Sequence, residues 1–170
     1  MRALGSFLLA LLVAVLLRST VCSSLAARGL VLDVLAFITI LWSLRHGDHW
    51  GCTFGFIAGL LADLDATHWL GRHALVLTLL GYAGGRLSAT LVRESARTQF
   101  VLIAVATLVH QTWASAFELG GGAAALPFLV GRTLLATLTT ASVGTLLLVA
   151  LRRITGRPLF PHASRASRTD

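Results

Sequence analysis

The chain has 170 residues, of which 56% are hydrophobic and only 12% charged, with a mean hydropathy of +0.81. A water-soluble domain carries about a quarter charged residues, so an ordinary soluble surface is excluded. The formal charge of +7 comes from 14 arginines against 7 acids, but the arginines sit between apolar runs and in the C-terminal tail. No basic and aromatic stripe forms, so a lipid bilayer with an anionic inner face is the expected partner and nucleic acid is not.

Six apolar segments occur in chain order: 4–17, 30–44, 50–64, 74–91, 100–117 and 123–151. They are too long, too continuous and too rich in Ala and Leu for the alternating strands of a barrel, so each is read as a helix. The first ends at Arg18 and can extend through 19–22 with that side chain snorkelling. Arg2, the apolar run and Ser24-Leu25-Ala26 also imitate a cleavable signal; the later apolar segments favour a retained first span. The third segment is short for a hydrocarbon core of about 30 Å and predicts a tilted, membrane-thinning or broken helix. In the sixth, Gly120, Gly121 and Gly122 form a turn, and Pro127 belongs to the first helical turn, where its missing N–H costs nothing. The expected fold is therefore all-α: a polytopic membrane protein with six transmembrane helices in one domain, 1–151. The basic tail 152–170 is expected to be disordered and cytoplasmic.

Six spans put both termini on one side. That side holds Arg2, Arg45, Arg93, Arg97, Arg152, Arg153, Arg157, Arg165 and Arg168; the other holds Arg18, Arg28 and Arg72. The excess places both termini in the cytoplasm. Trp42, Trp50, Trp69 and Trp113 are candidates for interfacial anchors, and His46 and His49 for a loop at the headgroups.

Gly51, Gly55 and Gly59 recur at four-residue spacing, and Gly81 and Gly85 lie on the next segment. Such stripes let helix backbones approach closely, within the chain or against another protein's helix. Bulk at Gly59 or Gly85 is accordingly expected to be tolerated less well than bulk at Ala58. Asp63 lies on nearly the same face as Gly59 and opposes its own helix dipole, so it needs donors; Thr67, His68, Arg72 or nearby amides are candidates. A metal site from Asp63, Asp65, His68 and His73 matches no ligand spacing, and no metal is expected. Cys22 and Cys52 are read as free small hydrophobes. Neither a nucleophile–base spacing nor a cofactor fingerprint occurs, so no catalytic residue and no cofactor is expected. His110 is read as a neutral imidazole bonded to a neighbouring helix.

Arg86 and Arg132 lie within spans, and two charges sit inside spans without an obvious excuse: Asp33, about four residues into the second, and Arg132, about five past Pro127. At 1.5 Å per residue they reach similar depth, and pairing, or a polar network shared with Glu118, would answer both. Snorkelling of Arg132 to the outer headgroups is the competing reading.

The stretch from Asp33 to Leu87, with Gly55, Phe56, Gly59, Asp63, Gly71, Gly81, Tyr82 and Gly85, resembles the core signature of the MreD family of rod shape-determining membrane proteins. A proline common in that family before the Asp33 position is Leu32 here, and the last two helices match only in character. The resemblance implies a six-helix fold similar to the substrate-binding component of energy-coupling-factor vitamin transporters. It also implies a non-enzymatic scaffold of the bacterial elongation machinery in the cytoplasmic (inner) membrane. Its implied partners are an MreC-type single-span protein and, indirectly, a RodA-type glycosyltransferase, a penicillin-binding transpeptidase and MreB filaments. The fold similarity supplies the alternative, a small-molecule transporter subunit.

Overall fold

A computed structural model describes residues 2–22, 31–64, 70–88, 95–118 and 126–155. Among them are six α-helices and no strand: α1 (Arg2–Leu16), α2 (Val34–His46), α3 (Asp48–Leu64), α4 (Arg72–Leu87), α5 (Ala96–Glu118) and α6 (Leu126–Thr155). A π-helical stretch, Leu17–Cys22, continues α1. Two helices, α5 and α6, contain stretches long and apolar enough to cross a membrane, Ala96–Phe117 and Leu126–Ile154. Many large apolar side chains face outward, from Leu9 on α1 to Leu146 and Ile154 on α6. An apolar exterior of that extent suits lipid rather than water.

The helices alternate in direction. Phe7 near the start of α1 packs its ring on Trp42 near the end of α2 and on Phe54 in α3. Gly47, with φ +87, is the single residue between α2 and α3; the left-handed backbone there is open to glycine at little steric penalty. Helices α3 and α4 form an antiparallel hairpin whose backbones touch. A Cβ added at Gly55 would fall within 3.0 Å of the Leu77 carbonyl, one at Gly59 within 3.0 Å of Ala74, and one at Gly51 2.5 Å from the Gly81 oxygen. Gly81 and Gly85 make the reciprocal approach from α4, Gly85 onto Asp48. The glycine stripes thus pack within the chain. Phe56 and Tyr82 lie on the same two helices but point outward, about half exposed.

Helix α2 packs on α3, α4 and α5, and α6 packs chiefly on α5. Three sequence boundaries shift. The third segment is one unbroken helix of 17 residues. The shortest helix is α2, with 13 residues, because Asp33 caps it and leaves residues 31–33 non-helical. Helix α6 runs past 151, through Arg152 and Arg153, to Thr155.

The shortness of α2 leaves room at one end of the bundle. Its N-terminus meets α5 at His110, eight residues or about 12 Å before α5 ends at Glu118. Helix α4 also starts at this level. A recess is left above both N-termini, at the bundle end opposite Arg2 and Thr155.

Candidate functional site: a buried Asp-His-His chain under an arginine-lined cavity

Asp33 is a helix cap first. Its Oδ1 accepts from Ala36 N at 3.1 Å, satisfying one of the amides that open α2. The backbone before it borrows from α6: Asp33 N donates to Thr140 Oγ1 at 2.9 Å, and Thr139 Oγ1 donates to Val31 O at 2.6 Å. Buried backbone N–H and C=O groups outside a helix need such partners, because left unpaired they are costly.

The other carboxylate oxygen carries the site. Asp33 Oδ2 accepts from His110 Nδ1 at 2.5 Å and from Gln111 Nε2 at 3.1 Å. His110 Nε2 in turn lies 2.9 Å from His73 Nδ1. With His110 neutral and donating to Asp33, its Nε2 is a lone pair and His73 must donate from Nδ1. With His110 protonated at both nitrogens, His73 Nδ1 becomes the acceptor. Either way one proton occupies each link, and all three side chains are buried.

Asp63 supports the third member. It is 0% exposed, and its carboxylate accepts from Gly71 N at 3.0 Å, His73 N at 3.1 Å and Ala74 N at 3.0 Å. The carboxylate that opposes the dipole of α3 therefore caps the N-terminus of α4, where negative charge is favoured. Gly71, at φ +96, makes the turn that aims these amides at it. Of the donors expected from sequence, the amides are the ones seen; Asp65, Thr67 and His68 lie outside the described residues, as does the Glu118 side chain.

Above this chain lies a cavity of about 280 Å³ lined by Arg18, Asp33, Arg72, His73, His110, Gln111 and Arg132 together with Val31, Leu32, Val34, Leu35 and Ala114. Asp33 and Arg132 thus share one cavity. The side chains that hydrogen-bond to Asp33 are His110 and Gln111, both from α5. The reason is local, since capping α2 turns the carboxylate toward α5.

His110 bonds two neighbouring helices, not one, and sequence spacing does not reveal His73 as its partner. The signal that could have found it is depth: His73 lies in the first turn of α4 and His110 two turns from the end of α5, at the level of Asp33. Among the described residues no serine or cysteine hydrogen-bonds to either imidazole.

No curated protein and no solved structure matches the chain. A family model described as rod shape-determining protein MreD matches residues 1–154, which takes in all six helices almost to the end of α6. The chain belongs to the MreD family of rod shape-determining membrane proteins.

Proposed function

We propose that this chain is a non-enzymatic scaffold of the cell-elongation complex, binding an MreC-type single-span protein and thereby regulating peptidoglycan synthesis and cell shape. The observation that carries the reading is the family match across the whole helical bundle. In this reading all six helices span the inner membrane, and arginine counting puts both termini in the cytoplasm. Residues 1–151 act as one domain likened to the vitamin-binding transporter subunit, and 152–170 as a basic cytoplasmic tail. A RodA-type glycosyltransferase, its penicillin-binding transpeptidase and MreB filaments are reached through the single-span partner. The cavity then opens on the extracytoplasmic side.

The second reading, a small-molecule transporter subunit, is favoured by the cavity alone, whose polar groups converge as in ligand sites. Co-purification in mild detergent followed by mass spectrometry separates the two. Stoichiometric recovery of a single-span protein with a periplasmic domain supports the scaffold. Recovery of transporter ATPase subunits, without such a partner, overturns it.

A further inference from the structure

We propose that the arginine-lined cavity is a binding site for a phosphate group, carried by a lipid headgroup or by a small soluble phosphate ester. This goes beyond the scaffold reading and does not depend on it.

Charge is the first ground. Arg18, Arg72 and Arg132 come from three different helical segments to the walls of one cavity, and Asp33 is the one carboxylate among its described lining residues. That carboxylate is already engaged by Ala36 N, His110 and Gln111. Asp63, the other buried acid among the described residues, accepts from three backbone amides. Arg18 and Arg72 alone therefore outnumber the one carboxylate among the described lining residues.

Unmet donors are the second ground, independent of charge counting. Arg18 Nη1 and Arg72 Nε are shielded from solvent and have no hydrogen-bond partner among the described residues. A buried guanidinium N–H without an acceptor is costly, and an anion in the cavity would supply one. Trp113 Nε1 donates to the Arg72 carbonyl at 3.0 Å and so fixes the backbone from which that guanidinium extends.

Shape and stoichiometry favour phosphate. Guanidinium groups bind oxyanions through forked pairs of N–H bonds. A carboxylate offers one charge against the two guanidinium charges of Arg18 and Arg72, and two oxygens for their forked N–H pairs. A phosphate offers at least two free oxygens in a diester and three in a monoester, spread tetrahedrally. The volume of about 280 Å³ compares with about 10–15 Å³ for a single water, leaving room for the phosphate and a few attached carbons.

The test uses the full chain purified in maltoside detergent, with native mass spectrometry as the readout. Three probes are titrated: glycerol 3-phosphate, a short-chain phosphatidylglycerol and the matching diacylglycerol, which lacks phosphate. One saturable adduct per chain is expected with a phosphate-bearing probe and none with diacylglycerol. Binding should weaken about tenfold or more in Arg72→Gln and in Arg132→Gln, and stay unchanged in Arg97→Gln at the opposite end. An adduct with glycerol 3-phosphate assigns a soluble ester; an adduct with the lipid alone assigns a headgroup. Equal lipid binding by the wild type and the folded arginine variants overturns the proposal. So does the absence of a saturable wild-type adduct with either phosphate-bearing probe. Should the variants not fold, the wild type decides through competition: inorganic phosphate, but not chloride at equal ionic strength, must displace the bound probe.

Discussion

Asp33 and His110 meet across the α2–α5 interface, Oδ2 to Nδ1 at 2.5 Å, with side chains 3% and 5% exposed. The carboxylate's remaining donors are one backbone amide and the Gln111 side chain. Removing one member of a buried pair of this kind costs about 3–5 kcal/mol, because the other is left without its partner. His110→Ala is therefore expected to lower the melting temperature in detergent sharply, and His110→Gln less, since an amide can still donate. In the double variant Asp33→Asn/His110→Ala the loss should fall short of the sum of the single losses. Additive losses would mean that the two side chains do not depend on each other.

The α3–α4 hairpin predicts opposite outcomes for chemically identical substitutions. A Cβ at Gly59 would collide with the Ala74 and His73 backbone, whereas one at Gly131 or Gly5 meets nothing within 4 Å. Gly59→Ala should destabilise by about 1–3 kcal/mol or more, because two backbones must part. Gly131→Ala should be neutral or stabilising by about 0.5–1 kcal/mol. Ala58, the comparison position expected from sequence, is unsuitable: it is 0% exposed, in the cluster with Phe7, Trp42 and Phe54. Thermal melts of the Gly5, Gly59 and Gly131 alanine variants check this, and a Gly59→Ala protein that melts with the wild type would refute close packing there.

The helices were legible in the sequence because apolar runs bounded by Arg, Gly and Asp persist far beyond strand length. The glycine contacts were legible in part, since four-residue spacing identifies a face but not its neighbour. What escaped was the polar chain. In the sequence Asp33 is a charge inside a span, and only the structure shows it as a cap, because helix 30–44 does not begin until Val34. Once its carboxylate turns toward α5, His110 becomes its partner, and Arg132 lines the same cavity. Pairings between residues 37 and 77 positions apart depend on which helices are neighbours, and composition and periodicity do not encode that.

Asp63 predicts a graded series. Its two oxygens divide three amides, Oδ1 taking His73 N and Oδ2 taking Gly71 N and Ala74 N. Asp63→Asn keeps one acceptor oxygen and should lose about 1–3 kcal/mol, whereas Asp63→Leu strands all three donors and should lose more. The same variants should disturb the His73–His110 contact, since His73 N is one of the amides released. The chemical shifts of the two imidazoles, measured by NMR, would report this directly. Unchanged shifts in Asp63→Leu would separate the cap from the polar chain.

Phe7 predicts how the first helix is held. Among the described residues of α1, Phe7 and Ala14 are its buried hydrophobics, while Leu8, Leu9, Leu12 and Leu16 are at least half exposed. The Phe7 ring stands edge-on to Trp42 at 5.6 Å and to Phe54 at 5.5 Å, and is tilted against Trp50 at 6.1 Å. Truncating a buried Phe costs about 3–5 kcal/mol, and α1 has few other contacts to offset the loss. Phe7→Ala is thus expected to loosen α1 while α3 and α4 stay paired through their glycines. The measurement is maleimide labelling of an Ala14→Cys thiol in a Cys22→Ala/Cys52→Ala background. Ala14 is 0% exposed, so labelling should be slow with Phe7 in place and clearly faster after Phe7→Ala. Leu9→Ala, at a position 62% exposed, should leave it slow. If Phe7→Ala left the labelling rate unchanged, α1 would be held by something other than the aromatic cluster.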